Sequence, residues 1–201
     1  MRDSSARDVK GAILDAAETL LAGNGYKKMT IDDLAAEVGI GKGSVYLHFS
    51  SKEEIALSHI DRIIERLKVR LENIAARKAS AGERLREMLI ERVIFRFDSV
   101  QHYTQSLNDI FAKIRPSLLE RRKRYFDEEA RIFSALVAKG IESGEFARTN
   151  PRNAADALLV ATNSLLPYSL STQELGERPE IERRAATVAN VLLKGMISRE
   201  S

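Results

Sequence analysis

Between Lys42 and Lys52 the chain reads KGSVYLHFSSK, with side-chain donors at Lys42, Ser44, Tyr46, His48 and Lys52 and no carboxylate. The residues just before it include Asp32, Asp33 and Glu37, so the sign of the surface changes abruptly. Val45 and Phe49 stand four apart and face inward on a helix, which turns Lys42, Gly43, Ser44, Tyr46, Leu47 and His48 outward or onto the flanks. A donor-rich face cleared of acids suits a groove lined by phosphates. Bond-making chemistry finds no comparable support. The chain has no cysteine, and His48, His59 and His102 stand at spacings that build no ligand set, with no carboxylate constellation beside them. No nucleophile elbow or metal signature occurs, so no catalytic residue, metal ligand or cofactor is expected.

The elements that must hold this face are two short helices about a glycine turn. Thr30 is placed to N-cap the first, with Asp33 three residues on as a weaker form of the capping box. Ile31, Leu34, Ala35 and Val38 recur at helical spacing and give that helix one apolar face. Gly39 stops it by taking the left-handed conformation that strains a residue with a Cβ, and Ile40 plugs the angle before Gly41. The second helix runs from Lys42 to about Phe49. Together they read as a helix-turn-helix.

The pattern of Thr, then Leu-Ala-x-x-x-Gly-Ile-x-x-Gly-Ser-x-Tyr-x-His-Phe-x-x-Lys-Glu, resembles the DNA-binding domain of the TetR family of bacterial transcription regulators. The resemblance covers about the first quarter of the chain and includes the Tyr-x-His-Phe-x-x-Lys ending. It implies base-edge contacts for Lys42, Gly43, Ser44 and Leu47, and phosphate contacts for Thr30, Tyr46, His48 and Lys52. Lys42 can donate to guanine O6 and N7, Ser44 to base or phosphate, and Leu47 can meet a thymine methyl, while Gly43 leaves room for close approach. Gly41 stands where the family often has a small hydroxyl residue, so no side-chain contact carries over there.

Upstream, residues to about Arg7 read as a disordered arm from which Arg2 or Arg7 could reach a minor groove. Val9, Ile13, Ala16, Ala17, Leu20 and Leu21 then give a first helix that packs on the helix-turn-helix and ends at Gly23-Asn24-Gly25. Downstream, Ser51 and Glu54 form a second capping box, opening a helix to about Arg77 that is long enough to act as a lever into a second domain. Arg77 to Gly82 is a polar loop. Helices follow over Glu83 to about Val100 and Gln101 to Ile114, with a break at Pro116. From Ser117 to Gly144 another helix carries Arg121 to Arg124, a solvated basic face balanced by Glu120, Asp127, Glu128 and Glu129. Pro151 and Pro179 open two final helices rich in small residues. The expected fold is all-α: an N-terminal three-helix helix-turn-helix DNA-binding domain over residues 1–52, and a larger helical ligand-binding and dimerisation domain over 53–201.

Small residues let helices approach closely, so the last two suit a four-helix bundle with a second copy, and the resemblance implies a dimer built this way. The interface residues expected are Leu158, Ala161, Leu165, Ala185, Val188 and Leu192. For the effector pocket that the resemblance suggests, Arg92 and Asn163 are polar groups in apolar helical surroundings, and Phe95, Tyr103, Phe111 and Phe133 supply aromatic surface. The net charge of +3 permits nucleic-acid binding without demanding it. Up to Lys52, Arg2, Arg7, Lys10, Lys27, Lys28, Lys42 and Lys52 are balanced by Asp3, Asp8, Asp15, Glu18, Asp32, Asp33 and Glu37, so placement rather than total charge carries the argument. The polar N-terminus resembles no signal peptide, and the apolar stretch Ala154 to Leu170 is interrupted by Asp156, Asn163 and Pro167, so a cytoplasmic protein is expected.

These features read as a homodimeric regulator of transcription, a repressor, bound to a near-palindromic double-stranded operator and controlled by an apolar or amphipathic small molecule. The alternatives are a non-specific DNA-organising protein, which the neutral first 52 residues disfavour, and an enzyme built on the C-terminal helices, which would leave the helix-turn-helix without a task.

Overall fold

The computed structural model describes the backbone of residues 2–101, 104–167, 174 and 176–198, and the side chains of the same residues apart from 2–8 and 104–108. Among these residues eight helices form: α1 (Arg2–Lys28), α2 (Ile31–Val38), α3 (Lys42–His48), α4 (Lys52–Ala75), α5 (Ala81–Val100), α6 (Thr104–Glu142), α7 (Pro151–Asn163) and α8 (Arg178–Lys194). The only β pairing described is one isolated antiparallel bridge between Phe146 and Ile197, so the chain is all-α. It divides into two units, Met1–Ile63 with Val100–Leu119, and Ile64–Ser99 with Glu120–Ser201. α4 and α6 supply residues to both.

In the first unit, the periodic apolar residues of α1 meet those of the helix-turn-helix. Ile13, Ala17 and Leu21 are buried with Leu34 and Ala35 of α2, Val45 of α3, Phe49, and Ile55 and Ala56 of α4; Ile110 and Ile114 of α6 complete the cluster. Helix α1 begins at Arg2, where the sequence suggested a disordered arm, and nothing among residues 2–8 is a glycine or proline that would stop it. The helical dihedrals fail at Gly25 (φ 74°, ψ 165°), the last glycine of the expected stop, and the turn that follows buries Tyr26 and Met29. Arg62 of α4 ties back to α1. Its guanidinium donates to Asp15 Oδ1 at 2.5 Å, to the Leu14 carbonyl at 2.9 Å and to Glu18 Oε2 at 2.9 Å.

In the second unit, α4 contributes Leu67, Leu71 and Ile74, α5 Leu85, Met88 and Leu89, α6 Phe133 and Val137, α7 Leu158 and Leu159, and α8 Ala189 and Leu193. α5 starts at Ala81, inside the expected loop, because its first amides find acceptors. The Ser80 hydroxyl accepts from Glu83 N and the Glu83 carboxylate from Ser80 N, while Glu145 Oε2 and Oε1 accept from Ala81 N and Gly82 N at 2.7 and 2.8 Å. The expected break at Pro116 does not occur, and α6 runs through it. Pro116 and Ala112 are both exposed, so the carbonyl that loses its helical donor faces water rather than a buried vacancy.

Candidate nucleic-acid interface

Local chemistry sets the frame of the helix-turn-helix. Thr30 caps α2 in both directions: its hydroxyl accepts from Asp33 N at 3.1 Å, and Asp33 Oδ2 accepts from Thr30 N at 3.0 Å. The Thr30 hydroxyl proton is also given to Asp33 Oδ2, at 2.7 Å, so the residue expected to hold a phosphate has its one side-chain proton engaged. Gly39 has φ 73° and ψ 34°, and the Ile40 amide behind it donates to the Ala35 carbonyl at 2.9 Å. This left-handed cap turns the chain sharply enough for Gly41 to start α3 two residues later.

Only Val45 of α3 is buried, with Phe49 just beyond it. The outward face is otherwise as expected: Lys42, Gly43, Tyr46 and Leu47 are exposed, and Ser44 and His48 are half-buried. Leu47 is 84% exposed and Tyr46 beside it 49%, so two neighbouring apolar groups stand in solvent on this face. Space at Gly43 is open, with nothing within 4 Å of where a Cβ would lie.

Two lysines of the expected DNA surface have partners that spacing did not reveal. Lys42 Nζ lies 2.8 Å from Asp32 Oδ2 of α2, and this carboxylate raises the lysine pKa by accepting its hydrogen bond. Lys52 Nζ donates to the Tyr26 and Met29 carbonyls at 2.8 and 3.1 Å and sits 4.3 Å from the centre of the Tyr26 ring. An ammonium has three protons, so one remains for a phosphate. Glu53 next to it accepts from the Tyr26 hydroxyl at 3.1 Å; burial first and that carboxylate second push the phenol pKa up.

The expected pocket residues fall into different places. Arg92 and Asn163 come together, with the guanidinium donating to Asn163 Oδ1 at 2.7 Å and to the Thr162 hydroxyl at 2.8 Å. Arg92 is 1% exposed and its Nε donates to Glu129 Oε2 at 2.6 Å, while Arg96, one turn along α5, pairs with the other oxygen of the same carboxylate. Glu129 therefore does not balance the basic run on a solvated face, as the sequence suggested; it is 0% exposed. Burial alone would raise its pKa, but the Arg96 and Arg92 guanidiniums overcome this and hold it below the ordinary range. Phe133 is core in the second unit, Phe95 is half-buried beneath the Arg70 guanidinium, and Phe111 packs against the core of the first unit. Tyr103 lies outside the described residues, as does His102.

Of the expected interface residues, Leu158, Leu165 and Ala185 are buried within the subunit, and Ala161, Val188 and Leu192 are half-buried. The large apolar side chains most exposed on α7 and α8 are Val160 and Val191, at 60% and 69%. Helical periodicity identified the apolar faces but not which edge each turns to a neighbour within the same chain. A groove of about 310 Å³ lies in the same unit, lined by residues that include Ala157, Leu158, Leu192 and Met196. Among the described residues no group of histidine and carboxylate side chains could hold a metal ion, and no helix is long and apolar enough to cross a membrane.

Comparison with known proteins agrees with this geometry. Residues 13–58, from the buried Ile13 of α1 to Ser58 of α4, match the family described as "Bacterial regulatory proteins, tetR family". The transcriptional repressor KstR2 of Mycobacterium tuberculosis is 26% identical over 144 residues, covering 68% of each chain. A TetR-family transcriptional regulator of Pectobacterium atrosepticum superposes with a TM-score of 0.78 over 98% of each chain at 17% identity. The regulator FadR of Bacillus subtilis, solved with stearoyl-CoA, gives 0.65 over 92% of this chain and 98% of that one at 21% identity; these two likenesses show the fold. The capped α2, the left-handed glycine turn, the outward α3 and the matched family description lead to one conclusion: residues 13–58 of the chain carry the helix-turn-helix described for the tetR family of bacterial regulatory proteins.

Proposed function

We propose that this regulator is a homodimeric repressor that reads a near-palindromic operator with α3 and answers to a small-molecule effector. The observation that carries the reading is the outward face of α3, which supplies donors and no acid of its own, with Leu47 84% and Tyr46 49% exposed. Lys42, Gly43, Ser44 and Leu47 read base edges, and Thr30, Tyr46, His48 and Lys52 meet the backbone. Residues 1–52 carry the DNA-reading surface, whose core is completed by Ile55, Ile110 and Ile114, and the remainder of 53–201 serves effector and partner. The repressor KstR2 among the relatives supports the direction of control. No enzymatic step is part of this role, and it is carried out in the cytoplasm.

A dimer through α7 and α8 covers Val160 and Val191, with Ala161, Val188 and Leu192 at its edge, and brings two copies of α3 to successive major grooves, roughly 34–36 Å apart. The effector is apolar or amphipathic, as is the stearoyl-CoA that the Bacillus FadR structure contains. It binds in the second unit; Arg92 and Asn163, bonded to one another, and the core residue Phe133 meet it only if the helices around them part, whereas Phe95 is already half-buried. Control of this kind needs a coupling of about 1–3 kcal/mol between effector and operator.

The test is selection of bound duplexes from a random library, followed by fluorescence anisotropy on the enriched sequence and on scrambled DNA at a stated salt concentration. A two-fold symmetric consensus bound far more tightly than scrambled DNA is expected, with light scattering giving the mass of two chains. Equal affinity for both DNAs would favour a DNA-organising protein instead.

A further inference from the structure

The contact between Lys42 and Asp32 has no evident task in the fold. Capping of α2 is done by Asp33 and Thr30, and both members of the pair are at the surface, their side chains 50% and 67% exposed. An exposed pair of this sort adds little to stability. Its position is more informative. Lys42 opens α3, and it is the one lysine or arginine between Gly41 and Ser51, so the only permanent cation on that stretch is neutralised by a carboxylate from the preceding helix.

The two kinds of DNA treat this arrangement differently. Random duplex offers Lys42 little beyond phosphate oxygens, which must displace Asp32 and then lie close to its negative charge. A guanine in register offers O6 and N7 as well, at a fixed place in the groove, and the other contacts of α3 hold it there. The carboxylate thus weakens both modes, but the non-specific one more. We propose that Asp32 is a specificity-determining residue, holding the Lys42 ammonium away from arbitrary phosphates and so widening the gap between operator and random DNA. The role rests on the DNA-reading function proposed above.

Asp32→Asn, Lys42→Ala and the double variant provide the test, measured by anisotropy on the selected operator and on random duplex from 50 to 200 mM salt, with thermal melts to establish that each variant is folded. Asp32→Asn is expected to bind random DNA about two- to fivefold more tightly at the low-salt end. Its salt slope should steepen by about 0.9, the contribution of one more phosphate neutralised. Operator affinity should rise less, so the specificity ratio falls, and the gain should vanish when Lys42 is already alanine. An unchanged ratio, or the same gain in the Lys42→Ala background, overturns the role of Asp32 while leaving the operator reading intact. Failure of the wild-type protein to enrich any sequence overturns the operator reading, and the role of Asp32 with it.

Discussion

The Lys52 ammonium, at the start of α4, lies 3.1 Å from the carbonyl oxygen of Met29, the residue that leads into the α2 cap. With the second bond to Tyr26 it closes the polypeptide around the helix-turn-helix, joining segments that only the fold brings together. Lys52 is thus part of the frame as well as a candidate phosphate contact. Lys52→Met keeps the alkyl stem and removes both bonds, and should destabilise the first unit by about 1.5–3 kcal/mol. Urea unfolding followed by circular dichroism measures this; a stability equal to wild type would mean that the carbonyls are met equally well by water.

Gly43 separates folding from DNA contact. A Cβ there meets nothing in the protein, and alanine is the better helix former, so Gly43→Ala should raise the stability of the free protein by up to about 1 kcal/mol. On the operator, the same methyl group would occupy space needed by the base edges. Affinity should drop about tenfold, comparable with one mismatched base pair. Higher melting temperature with undiminished operator binding would show that DNA does not approach α3 closely at this point.

Gly39 behaves in the opposite way. Space around it is free, but its φ of +73° is left-handed, so the cost of a side chain is one of backbone conformation alone. Gly39→Ala should lose about 1–2 kcal/mol, and Gly39→Asn less, since asparagine tolerates this region. Equal losses for the two substitutions, measured by chemical denaturation, would point to a steric rather than a conformational cause.

Glu129 gives the second unit a dependence on acid. Its carboxyl is harder to protonate in the folded chain than in the unfolded one, because Arg96 and Arg92 flank it. The stability it contributes is therefore complete above the unfolded value of about 4.3 and is lost as pH falls through the lower folded value. Glu129→Gln removes the carboxylate that both guanidiniums share and should cost about 3–5 kcal/mol at neutral pH, with a smaller cost in acid. Denaturation curves from pH 7 down to about pH 3, below the unfolded value, would show this convergence; a constant difference between wild type and variant over that range would refute it.

Much of the reading surface was decided by the sequence itself. Thr30 and Asp33 are three residues apart, Val45 and Phe49 four, and the handedness of Gly39 follows from its missing Cβ, so near-neighbour sterics and hydrogen bonding are enough to build α2, the turn and the face of α3. The partners of the charged residues were decided only by tertiary structure. Lys42 meets Asp32, Lys52 meets Met29, and Arg92 meets Glu129 thirty-seven residues away. Periodicity says which side of a helix turns inward, but not which helix it will face or at what height. For the same reason Leu158, Leu165 and Ala185 became core while Val160 and Val191 stayed outside, and α6 passed through Pro116 because a broken backbone bond exposed to water costs far less than a buried one.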